Sequence, residues 1–137
     1  MTSLLIAAIA APLALQASST APDALESAES VSVISSLDEL PIEQSAAPRC
    51  AIAFAVISRW QKAGDERGSP YVDMEANGGR EFFVRSLAAL MDEAQLGQEN
   101  VIEIAMSEVN KLDTPSGAER VEAMMPACLL MKDAAGL

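Results

Sequence analysis

The sequence holds two cysteines, Cys50 and Cys128, and no histidine. A thiol acts as nucleophile or metal ligand only as the thiolate, which needs a neighbouring cation or base to form. Arg49 precedes Cys50, but no C-x-x-C is present, no imidazole exists to take the proton, and the other flanking residues are Ala and Leu. The absence of histidine also removes the ordinary physiological-pH acid or base and the commonest transition-metal ligand. The two cysteines therefore read as one structural disulfide, Cys50 to Cys128, because a pair of cysteines in an exported chain normally bonds.

The remaining chemistry-bearing residues give weaker signals. Asp73-Met74-Glu75-Ala76-Asn77-Gly78 echoes the opening of a calcium loop, but the twelfth position is Val84 instead of a bidentate Glu and the eighth is Arg80. A turn between helices with a glycine stop accounts for the same residues, so no metal site is expected. Arg80 and Arg85 form a candidate anion or partner contact on an acidic protein, provided that Glu81, spaced to pair with Arg85, does not neutralise it. Glu99 with Glu103 and Glu119 with Glu122 sit one turn apart near helix starts, where the dipole favours solvated carboxylates. They lack a nucleophile or cationic partner, so no catalytic residue is assigned and no cofactor is expected. Met91, Met106, Met124, Met125 and Met131 fall on apolar stripes and read as packing, not soft-metal ligation.

These residues need elements to position them, and the chain has room for one domain in 137 residues. Met1 to Leu15 is uncharged and apolar from Leu4 onward, too short to cross a bilayer but of the length of a signal-peptide core. Small residues follow, and cleavage after Ala17, Ser19 or Ala21 fits, so residues 1–21 read as a signal peptide. Residues 22–48 carry six carboxylates and no basic side chain, the composition of a flexible acidic linker. Its apolar cluster from Val31 to Ile42 reads as a loosely attached turn, with docking on the domain or a partner as the alternative.

Residues 49–137 then read as an all-α domain, a small bundle of about four helices. Cys50 to Ala63 is apolar on nearly every side and should be a buried helix. A second helix starts near Arg80, with Phe83, Leu87, Leu90, Met91 and Ala94 on its inner stripe and Gly97 as its stop. A third spans Gln98 to Leu112 with Ile102, Ala105, Val109 and Leu112 inward. Thr114-Pro115 caps a fourth through Val121, Met124, Met125 and Cys128, which Pro126 should interrupt and kink.

The stretches RCAIAFAVI, GREFFVRSLAALMDE and MMPACLLMKDA together resemble a group of small exported bacterial proteins with a Cys near the start of a helical domain and a Pro-x-Cys near its end. The resemblance implies a Cys50–Cys128 disulfide and no catalytic residue. In size, helicity and single disulfide alone, the chain is also similar to periplasmic acid-activated chaperones. The net charge of −11 opposes nucleic acid as a partner. The sequence-level expectation is a periplasmic or secreted, non-catalytic protein that binds another envelope protein. An acid- or stress-responsive holdase and a binder of a small apolar ligand are the alternatives.

Overall fold

Helix α1 runs from Ile42 to Ala63 in the computed structural model, which describes residues 33–137. Ala51, Ile52, Ala53, Phe54, Val56, Ile57 and Trp60 are all nearly inaccessible to solvent, so the helix is buried around most of its circumference, as its composition predicts. Gly64 ends it in a left-handed conformation at φ 69°, where a side chain would be strained. The signal-peptide reading of residues 1–21 and the first part of the linker lie outside the described residues.

The structure corrects the rest of the linker. Helix α1 starts eight residues before Cys50, and Pro48 lies inside it with its ring buried. A proline this far into a helix removes one backbone bond and costs free energy, so the sequence alone reads it as a boundary. Here tertiary packing overrides that cost, because Ser45 and Pro48 face the core. Upstream, Leu37 opens a 3-10 turn over Leu37–Glu39 and is completely buried. Ser36 caps this turn by accepting from the Asp38 N–H at 3.2 Å. Within the described part of the apolar cluster, Leu37 is thus docked on the domain with Ile34 and Leu40 partly covered, while Val33 and Ile42 stay exposed.

Helices α2, Gly79–Glu93, α3, Gln98–Leu112, and α4, Pro115–Ala134, complete an all-α bundle with no strand among the described residues. All three pack against α1, and α3 also packs against α4. The Cys50–Cys128 disulfide joins the third turn of α1 to α4, with the two Cα atoms 5.1 Å apart and both side chains buried. At the α3–α4 junction, Thr114 Oγ1 accepts from the Gly117 N–H at 3.0 Å and Arg120 donates to the Lys111 carbonyl at 2.8 Å. Gly117 is required there, since a Cβ would strike the Leu112 and Lys111 carbonyl oxygens.

Two helix faces, the course of α4 at Pro126 and the end of α2 differ from the sequence expectation. On α2 the buried residues are Gly79, Phe82, Ser86 and Leu90, while Phe83, Leu87, Met91 and Ala94 are only partly covered. The helix is rotated by about one residue because Phe82 packs edge-on against Phe54, with ring centroids 5.5 Å apart. On α3 Ile102 is 52% exposed, and Glu108 takes a buried position in the stripe of Val101, Ile104, Ala105 and Leu112. Lys111 makes this tolerable by pairing with Glu108 at 2.7 Å. Helix α4 continues past Pro126 without interruption, with that residue on its exposed side. Helix α2, for its part, ends at Glu93, before Gly97, and the left-handed residue beyond it is Gln95 at φ 53°.

Candidate functional site

A groove of about 400 Å³ lies between α1 and α2. Helix α1 contributes Ala55, Ser58, Arg59 and Lys62, which share one face at steps of three and four residues. Helix α2 contributes Arg80 and Phe83, and Phe54 and Met74 close the floor. A cavity of this size is at the small end of ligand sites, and its apolar floor with a few polar groups at the edge is their usual composition.

One side chain organises the loop that forms the groove's end. Gln61 Oε1 accepts from the Met74 N–H at 3.1 Å, and its Nε2 lies within 3.2 Å of the carbonyl oxygens of Gly68, Tyr71 and Val72. These bonds draw the irregular segment after α1 back onto that helix and set Met74, 1% exposed, into the core. Asp73 then accepts from the Ala76 N–H at 2.9 Å while Asn77 donates to the Asp73 carbonyl at 2.7 Å. The segment that echoes a calcium loop is therefore a self-capped turn leading into α2. Among the described residues no group of three or more potential metal-ligating side chains is assembled.

Arg80 and Arg85, the two arginines singled out in the sequence, are separated by the structure. Arg85 donates to Glu81 at 2.7 Å along the exposed surface of α2. Arg80 instead borders the groove, where its cationic companions are Arg59 and Lys62 of α1. Lys62 pairs with Glu75 at 2.8 Å, and Arg59 pairs with Asp113. Among the described residues Arg80 makes no ion pair. The sequence offered a usable sign of this arrangement, since the α1 face that starts at Ala55 turns basic at Arg59 and Lys62. The distance along the chain between that face and Arg80 concealed it.

A second charged centre was missed in the sequence. Asp113 accepts from the Trp60 indole N–H at 2.8 Å, pairs with Arg59, and lies 3.3 Å from Arg67. Arg67 also stacks on the Trp60 ring, 4.6 Å from its centroid, and binds Asp65 through two nitrogens. Trp60 is the chain's one tryptophan, and a buried indole N–H needs an acceptor; that requirement was the available signal. The cluster contains no nucleophile and ties the end of α1 to the α3–α4 junction.

These contacts set the acid response. The Trp60 hydrogen bond, aided by Arg59 and Arg67, holds Asp113 below the usual carboxylate range. Hydrogen bonding from Arg67 lowers Asp65 to about 2, and the Arg49 hydrogen bond and charge lower Asp38. Carboxylates depressed in the folded state stabilise it fully above their unfolded value of about 4. That contribution is lost as the pH falls through the lower folded values. The thermal midpoint should thus be nearly flat from about pH 8 to 5 and fall between about pH 4 and 2, because no histidine titrates in between. Circular dichroism melts across this range check it; an undiminished midpoint at about pH 2.5 would show that these ion pairs do not matter to the fold.

No family model, no curated protein and no solved structure matches this chain.

Proposed function

We propose that this is an exported, non-catalytic binding protein of the cell envelope, which receives an apolar group of another molecule in the groove between α1 and α2. The groove carries the proposal: about 400 Å³ of concave, mainly apolar surface between two helices. Export is supported by the apolar first segment and by a buried disulfide, a bond that persists in oxidising compartments.

Binding of an uncharged apolar dye such as Nile red tests this reading. The native protein should bind it, and Ala55→Trp, which fills the groove from α1, should weaken binding about tenfold or more with the helical spectrum unchanged. The rival surface is the exposed pair Ile102 and Met106 on α3. Equal binding by Ala55→Trp places the dye elsewhere and refutes the groove.

A second reading, the acid-responsive holdase, is favoured by one observation. Asp38 pairs with Arg49 at 2.6 Å and lies 3.7 Å from Lys111, and it immediately follows the fully buried Leu37. Protonation of Asp38 loosens that anchor and frees an apolar segment. Failure to suppress aggregation of an unfolded client at any pH from about 2 to 7 eliminates it.

A further inference from the structure

We infer that the ligand of the α1–α2 groove is a single-chain amphiphile with an anionic head, its hydrocarbon tail along Ala55 and Phe83 above the buried Phe54 and Met74, and its head at Arg80. This rests on the groove being the binding site proposed above and adds the chemical class of what enters it.

The argument is one of charge complementarity. The chain as a whole carries −11, with nine basic residues. Three of those nine, Arg59, Lys62 and Arg80, border one groove whose lining includes a single carboxylate, Glu75. Glu75 is engaged by Lys62 at 2.8 Å, and Arg59 is engaged by Asp113, outside the groove. One guanidinium, that of Arg80, is left at the mouth with no carboxylate of the described residues within ion-pair distance. Elsewhere in the domain the basic side chains are consumed by partners: Arg49 by Asp38, Arg67 by Asp65, Arg85 by Glu81, Lys111 by Glu108 and Lys132 by Asp133. Arg120, also without an ion pair, donates to a backbone carbonyl that closes α3.

An unpaired arginine beside an apolar hollow suits a carboxylate or phosphate head joined to an apolar tail. A cationic amphiphile would meet repulsion at that mouth. A partner helix needs a longer track of anchors at helical spacing than a hollow of about 400 Å³ supplies.

Calorimetric or fluorescence-displacement titrations with octanoate, octyl phosphate, 1-octanol and octyltrimethylammonium, all below micelle formation, test the inference. Octanoate or octyl phosphate should bind about three- to fivefold tighter than 1-octanol, the range an exposed ion pair supports, and octyltrimethylammonium weakest. Arg80→Gln should abolish the preference for the anion, while Arg120→Gln, which changes the net charge equally, should retain it. Carboxylate and phosphate heads are distinguished by which of the two binds tighter. If 1-octanol binds as well as the anions, or if Arg80→Gln keeps the preference, the anionic head is refuted and the apolar groove stands. If octyltrimethylammonium binds tightest, the inference is likewise overturned. If no octyl compound binds, both the inference and the groove reading fail.

Discussion

Replacing both cysteines, Cys50→Ala with Cys128→Ala, lowers the stability of the domain by about 4 to 5 kcal/mol on the chain-entropy account. The bond closes a loop with a sequence separation of 78 residues, and in the unfolded chain that closure removes much of the conformational freedom that folding must otherwise overcome. The bond also connects elements that short-range structure does not. Helix α1 is the centre of the bundle and α4 its last helix, so the disulfide holds the final element to the core. For a domain of this size the loss is comparable with the whole net stability, and the thermal midpoint should fall by about 20 to 30 °C. Urea unfolding of the oxidised protein and the double variant measures it. A difference under about 1 kcal/mol would mean that the bond constrains little that packing does not already hold.

Leu37→Ala has the next largest effect, a loss of about 2 to 5 kcal/mol, the range for truncating a fully buried leucine. Leu37 is 0% exposed and belongs to the core cluster although it precedes the first α-helix. A loosely attached linker residue would change stability by less than about 0.5 kcal/mol, so this one variant separates the two descriptions of residues 33–41. The neighbouring Val33, 61% exposed, is the internal control: Val33→Ala should be nearly silent. Equal and small effects at both positions would show that the turn at Leu37–Glu39 does not seal the core.

The sequence shows most clearly those elements whose signals are local. Thr114-Pro115 marks the start of α4 because a hydroxyl acceptor followed by proline matches what a helix start requires, and the limits of α3 follow from its spacing and charges. Cys50 and Cys128 are legible as a pair by elimination. Three features depend on contacts distant in sequence and are not legible. Pro48 looks like a boundary until the burial of its ring against the core is known. Glu108 looks solvent-facing until its burial and its pairing with Lys111 are known. Arg80 is recognised as a candidate anion contact, but its companions are Arg59 and Lys62 from another helix in place of Arg85. The site is therefore half readable: one of its cations is visible by type, while the hollow itself exists only once Gln61 has folded the loop back and brought Met74 under α2.

The most direct test of the groove uses the chain's own methionines. With methyl-13C methionine incorporated and 1-octanol titrated into the disulfide-bonded protein, Met74 reports on the groove floor, while Met106, 57% exposed on α3, and Met125, buried beside the disulfide-bearing turn of α4, report on the alternatives. The account predicts a saturable shift of the Met74 methyl with Met106 and Met125 unmoved. A Met106 shift with Met74 silent, or no saturable shift at any methionine, would contradict it.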